Sequence, residues 1–217
     1  MTTPAQAWAD LMQGNDRFVR GEMQHPSQDA QRRAEVSAGQ NPFAVVFGCS
    51  DSRAAAEIIF DRGLGDLFVV RTAGHVVDTT VIGSIEFGVD VLGASLVVVL
   101  GHDSCGAVGA AARALRTGEV PSGFVRAVVD RVIPSVVHLP RGAEGDLAAD
   151  EDAQGGGLSP EPAVLGREHV RHTVRMLQSY SAGVRDAVAE GRCAVVGAEY
   201  ALAEGRVRLV EVAGDIG

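Results

Sequence analysis

The stretch Ser95-Leu96-Val97-Val98-Val99-Leu100-Gly101-His102-Asp103-Ser104-Cys105 runs from an unbroken apolar segment straight into a His-x-x-Cys pair. Consecutive apolar residues over a strand's length, with no polar alternation, read as a strand buried on both faces. An alanine-rich helix follows, to about Leu115. Upstream, Phe43-Ala44-Val45-Val46-Phe47 repeats the pattern and ends on Gly48-Cys49, and Leu67-Phe68-Val69-Val70 supplies a third such run. Helical segments separate them, Ala54 to Phe60 and Thr79 to Leu92. Buried strands alternating with helices predict an α/β fold, a parallel-core β-sheet with flanking helices. Ligands of such sheets bind at the carboxyl ends of the strands. Cys49 ends one strand, and His102 and Cys105 follow another. If those two strands are neighbours, the three side chains converge.

At 217 residues the chain reads as one domain, 1–217. It begins with an N-terminal helical arm, residues 1–40, in which Ala5, Trp8, Leu11, Met12 and Phe18 recur at helical spacing. Pro121 to Leu139 reads as a helix bent or interrupted at Pro134. Residues 141–160, acidic and rich in Gly and Ala, read as a flexible surface loop. Glu161 to Glu190 is helical, and Cys193–Val196 and Val207–Val210 form final strands around Glu204-Gly205.

The net charge is −9, and Glu144, Asp146, Asp150, Glu151 and Asp152 supply five of those charges. An acidic chain without a basic face is not built for nucleic acid. The apolar runs are too short to span a membrane, and Met1-Thr2-Thr3-Pro4-Ala5 does not open a signal peptide. Three cysteines make no disulfide framework; reduced thiols in a cytoplasmic protein suit metal binding or catalysis.

Cys49, His102 and Cys105 are a two-thiolate, one-imidazole set with a fourth position left for water or substrate, as catalytic zinc requires. With only one closely spaced pair, the site must be assembled by the fold. Two thiolates cancel the charge of Zn2+, which predicts a preference for alkaline conditions. Asp51 and Arg53 follow Cys49 directly. An ionised Asp51, held by Arg53, would orient a zinc-bound hydroxide; alternatively Asp51 swings in as a fourth ligand and closes the site. Two other readings stay open: a purely structural zinc held by all four residues, and a Cys49 nucleophile assisted by His102. Cys193 reads as inert core. His169 and His172, among Arg167, Arg171 and Arg175, read as a solvated face, while His25 and His138 have no supporting context. His75, after the Leu67–Val70 strand, is a candidate proton relay near the site mouth, or else a surface or loop-anchoring residue.

Cys49-Ser50-Asp51-Ser52-Arg53 and Gly101-His102-Asp103-Ser104-Cys105-Gly106 resemble the signature of the β-class carbonic anhydrases. The resemblance continues through Phe68–Arg71, Ser84–Phe87 and Val195–Tyr200, nearly the whole chain. It implies zinc-dependent, reversible hydration of carbon dioxide to bicarbonate and a proton, with one Zn2+ per subunit on Cys49, His102 and Cys105. Asp51 and Arg53 would form the catalytic dyad. Gln40, nine residues before Cys49, matches a glutamine that binds substrate across a dimer interface, and the Gly106 amide would be a second donor. Phe68 and Phe87 match apolar pocket walls. A homodimer, in some members paired into tetramers, is implied, with the N-terminal helix packing on the partner. Members regulated by bicarbonate at a separate site carry a tryptophan where this chain has Val46, although Arg71 and Tyr200 fit; Gln40 points to the plant-like group. Relatives on this scaffold hydrolyse carbon disulfide or carbonyl sulfide, so such a hydrolase is the alternative. A non-catalytic zinc- or bicarbonate-binding protein is disfavoured by the intact Asp51 and Arg53.

Overall fold

The apolar run that meets the His-x-x-Cys pair is strand β3, Leu96–His102, and every residue in it is buried. The computed structural model describes residues 2–138 and 161–217, so the expected acidic loop 141–160 lies outside the described residues. Five strands form one sheet: β1 (Ala44–Cys49), β2 (Leu67–Thr72), β3, β4 (Ala194–Ala201) and β5 (Arg206–Ala213). Their spatial order is β2-β1-β3-β4-β5. The first four are parallel, and β5 pairs antiparallel with β4 across an irregularity at Gly197/Ala198. β1 and β3 are neighbours, with Gly48 opposite Leu100.

Alternation along these strands divides the core into two layers. Val46, Val98 and Val196 point to one face, against Leu11 of helix α1 (Pro4–Arg20) and Phe60. Val45, Phe47, Val97 and Val195 point to the other, against α4 (Thr79–Glu86), α7 (Pro162–Tyr180) and α8 (Ala182–Ala189). Each fully buried Val, Leu or Phe contributes about 2 kcal/mol by leaving water. Helices on both faces leave the middle strands no polar side, which is why they read as continuous apolar runs.

Helix α1 starts where the Thr3 side chain accepts a hydrogen bond from the Gln6 amide and stops at Gly21 in the left-handed region, φ 69°. Its inner face lies on its own chain's sheet. Buried Asn15 there donates to the Ile59 and Gly205 carbonyls, at 3.2 and 2.8 Å, and accepts from the Val207 amide at 2.9 Å. Any contact of this helix with a second subunit must therefore use its other side.

Three expected helical segments each contain more than one element. The helix at Thr79 ends at Glu86 and continues as a π-helical stretch, Phe87–Val91. The segment before Leu139 is α6 (Val125–Val132) followed by a 3-10 stretch, Ile133–His138, because Pro134 lacks the amide that an α-helix needs. Ser181 separates α7 from α8 by capping the second: its hydroxyl accepts from the Val184 amide at 3.1 Å and donates to Glu86 at 2.6 Å. Val170 of α7 packs over Gly101, where an added Cβ would stand 2.6 Å from Val170 Cγ2. Only glycine allows α7 to lie this close to the end of β3.

Candidate metal and catalytic site

From β1 the chain moves outward to β2 and then crosses back to β3 on the other side, so the carboxyl ends of β1 and β3 flank a topological switch point. Cys49 is the last residue of β1 and His102 the last of β3. Cys105 is the N-cap of α5, Gly106–Thr117. The Sγ atoms and the imidazole nitrogen all lie within 4.8 Å of one another, and all three residues are buried. This is the only such group among the described residues.

The donors fit a metal in detail. His102 Nδ1 lies 2.7 Å from the Asp103 carbonyl oxygen. A carbonyl only accepts, so in the neutral ring the proton is on Nδ1 and Nε2 presents its lone pair to the cysteines. That Nε2 is buried without a hydrogen-bond partner, a state that is costly unless something else satisfies it. Burial opposes a charge on His102, but the adjacent Cys49 thiolate and the Asp103 carbonyl outweigh it and leave its pKa raised. The Cys105 thiol donates to Cys49 and, against the cost of burial, holds it as the thiolate, helped by His102 and the Gly74 amide. Cys105 is pushed up by the Cys49 thiolate beside it and by burial, while the Ala107 and Val108 amides of the first turn of α5 oppose that. Two thiols that share one proton in this way are ready to ligate a cation as a pair of thiolates.

Beside the triad, Arg53 grips Asp51 with both arms of its fork: Nε donates to Oδ1 at 2.9 Å and Nη2 to Oδ2 at 2.7 Å. The Arg53 amide adds a third bond to Oδ1, at 2.9 Å. These bonds, Arg53's side chain foremost, hold the Asp51 carboxyl well below the usual carboxylate range. Arg71 braces the same loop from β2, donating to the Cys49 carbonyl at 2.9 Å and the Asp51 carbonyl at 2.7 Å. Sequence reasoning assigned Arg71 no role at this site. The β1–β2 register, which sets Arg71 opposite Gly48, is what brings it there.

The remaining expected residues fall in several places. Gly106 is the first residue of α5. Gln40 is exposed in the coil before β1. Phe68 pairs with Val45, four strand residues short of Cys49 and so roughly 13 Å from it along the sheet. Phe87 stands beside Phe68, ring centroids 6.0 Å apart, and is 43% exposed. Within one chain these two rings do not reach the triad. Val46, at the position of the family's regulatory tryptophan, is fully buried in the core. Cys193 is buried, as expected, and burial pushes its thiol up to about 12.

Two histidine expectations need correction. His75 is neither at a site mouth nor on the surface: it is 2% exposed, with both ring nitrogens unpartnered. His169 is not on a solvated face but 1% exposed, bonded to Ser135 and to the Gly74 carbonyl. Of the arginines around it, Arg171 and Arg175 pair with buried Glu168, at 3.3 and 3.1 Å, and Arg167 pairs with Glu199 at 3.8 Å. His172 is half-buried and His25 exposed. The side chain of His138 lies outside the described residues.

A helix-covered, mostly parallel sheet with a buried Cys-His-Cys cluster at its switch point defines an α/β protein with a site that could hold a metal. A family model described as carbonic anhydrase matches residues 44–207. The chain is 51% identical over 216 residues to carbonic anhydrase 2 of Mycobacterium tuberculosis, a match covering 100% of this chain and 97% of that protein. To the carbonic anhydrase of Mycolicibacterium smegmatis it is 52% identical, covering 100% and 98%. Among solved structures, a β-carbonic anhydrase of Sordaria macrospora superposes with a TM-score of 0.69 at 21% identity, covering 94% of this chain and 96% of that one. The Coccomyxa β-carbonic anhydrase gives a TM-score of 0.67 at 22% identity, covering 95% and 84%. The chain belongs to the carbonic anhydrase family, with the fold of the β-class, and its enzyme class is that of the carbonate dehydratases.

Proposed function

We propose that this chain catalyses the reversible hydration of carbon dioxide to bicarbonate and a proton, with one zinc ion per subunit held by Cys49, His102 and Cys105. Bound there, zinc supplies a Lewis acid that lowers the pKa of water. The observation that carries the reading is a carboxylate with one acceptor position to spare at the edge of the triad. A carboxylate has about four such positions. Arg53 occupies two on Oδ1 and one on Oδ2. The remaining one is on Oδ2, the oxygen that lies 3.8 Å from His102 Nε2.

Asp51, held ionised, accepts a hydrogen bond from the attacking oxygen and turns that oxygen's lone pair toward carbon dioxide. Its depressed pKa makes it an orienting acceptor and not a base that carries the proton away. Arg53 keeps Asp51 out of the metal's fourth position, which supports an open, catalytic site over a closed structural one. The Gly106 amide, unpaired at the start of α5 by helix geometry, is a donor for the substrate oxygen.

Gln40, Phe68 and Phe87 serve the site of a second subunit in this reading, since Phe68 and Phe87 do not reach their own. The edge strand β2 is only half-buried, and Ile58, Leu64, Phe87 and Val91 present exposed apolar surface, at 55, 44, 43 and 66%. Such an edge is a liability in a monomer, and a homodimer would cover it. We place the enzyme in the cytoplasm, where its unpaired thiols stay reduced.

Stopped-flow hydration of carbon dioxide by the zinc-loaded protein tests this, with Cys105→Ala as the control and carbonyl sulfide as the competing substrate. The expected result is zinc-dependent hydration that rises from pH 6.5 to 9 and is absent in the control. A zinc-loaded protein that hydrolyses carbonyl sulfide and leaves carbon dioxide unchanged would overturn the assignment.

A further inference from the structure

We propose that His169 is a positioning residue for the metal ligand Cys49, acting through the main chain of Gly74; the inference rests on the zinc site proposed above. The histidine sits on α7, 1% exposed, far from Cys49 in sequence and separated from it by the turn after β2. Its Nε2 lies 3.0 Å from the Gly74 carbonyl oxygen, and its Nδ1 lies 2.8 Å from Ser135 Oγ.

The proton positions follow from the partners. The Gly74 carbonyl can only accept, so Nε2 carries a proton. Burial pushes the His169 pKa down to about 4, so the ring is neutral and Nδ1 is an acceptor. Ser135, itself fully buried, therefore donates its hydroxyl proton to Nδ1. One tautomer satisfies both bonds, and the Gly74 carbonyl, which can only accept, selects it.

At the other end, the Gly74 amide donates to Cys49 Sγ at 3.2 Å. Gly74 thus spends both main-chain polar groups on different elements, its carbonyl on α7 and its N–H on the end of β1. The two groups lie on separate peptide planes, so the coupling is conformational. With φ 65° and ψ 21° fixed, holding the carbonyl fixes where the amide points. The conformation needs glycine twice over: φ is positive, and an added Cβ would stand 2.6 Å from the Cβ of Ala107.

The rest of the turn does not do this job. Thr72 Oγ1 donates to the Val76 carbonyl at 2.9 Å and closes the turn around Gly74 without touching it. His75 stacks near His169, ring centroids 4.4 Å apart, but neither of its nitrogens has a partner. A hydrogen bond to a thiolate ligand takes up part of its negative charge and fixes its lone pairs, so losing the donor's aim changes how the sulfur binds metal.

The test uses the full chain loaded with zinc or with cobalt(II), and reads the thiolate-to-cobalt charge-transfer band and the zinc affinity against a competing chelator. His169→Phe keeps the volume and removes the donor; His169→Gln keeps an N–H close to the Nε2 position. Expected are a shifted band and zinc affinity weakened about 10- to 100-fold in His169→Phe, both restored to within a few-fold in His169→Gln. A His169→Phe protein with a lower melting temperature but an unchanged band and zinc affinity would reduce His169 to a core residue and overturn the proposal. If His169→Phe does not fold, His169→Leu decides, since it also removes the donor to Gly74 with a smaller side chain: a shifted band supports the proposal and an unchanged one overturns it. Absence of any charge-transfer band in the unsubstituted protein would overturn the zinc site itself, and the proposal with it.

Discussion

Asp51 Oδ2 stands 3.8 Å from His102 Nε2, while the same oxygen accepts a hydrogen bond from Arg53 at 2.7 Å. The carboxylate is therefore within a small side-chain movement of the Cys49–His102–Cys105 cluster and is held back by one guanidinium. Arg53 is itself half-exposed, so the restraint is exerted from the solvent side of the site. Its strength comes from geometry, because a planar fork meets both carboxylate oxygens at once.

Removing that restraint should close the site. In Arg53→Ala the freed carboxylate turns to the metal, and carbon dioxide hydration falls on the order of 100-fold or more with zinc content unchanged. Arg53→Lys, which cannot grip both oxygens, should fall between the two. Turnover and bound zinc, measured on the same preparations, check this. Full turnover in Arg53→Ala would mean that Asp51 needs no guanidinium to stay in place.

The convergence of Cys49, His102 and Cys105 was legible because each adjoins a strand that announces itself. Cys49 and His102 terminate apolar runs, and parallel-sheet topology does the rest. The pairing of Asp51 with Arg53 beside Cys49 was legible for the same reason, both being local to that strand end. The chain from Ser135 through His169 to Gly74 joins three elements and leaves no local motif. One signal was available: Leu165, His169, Thr173 and Leu177 recur every four residues and are all buried, whereas Arg167, Arg171 and Arg175 form a separate stripe. Reading by neighbours in sequence grouped the histidine with the arginines; reading by helical face groups it with the core. The distance of Phe68 from its own triad depends on strand register, which composition and periodicity do not carry.

Burial of neutral His169 makes stability depend on pH. Its folded pKa is about 4, below the ordinary 6.5, so between these values the unfolded chain binds the extra proton. The stabilisation is complete above pH 6.5 and is lost as pH falls toward 4, by up to about 3 kcal/mol. His75, also lowered by burial, adds a loss of the same sign. Urea unfolding between pH 7.5 and 4.5 should show this decline, and His169→Gln should make it shallower. Equal slopes in the two proteins would show that His169 is not held neutral.

The assignment of Gln40 to a neighbouring subunit predicts complementation between two inactive proteins. Cys105→Ala abolishes metal binding in its own subunit, and Gln40→Ala removes the substrate donor from whichever site Gln40 serves. In a mixed dimer the Gln40→Ala subunit keeps its zinc and receives an intact Gln40 from its Cys105→Ala partner, so one complete site is rebuilt. Unfolding and refolding the two variants together should therefore restore hydration activity that neither has alone, toward about a quarter of the normal level if subunits pair at random and Gln40→Ala is inactive by itself. If Gln40 served its own subunit, the mixed dimer would combine a site without metal and a site without the donor, and no activity would return. The assay needs only the two purified variants and a refolding control of each by itself.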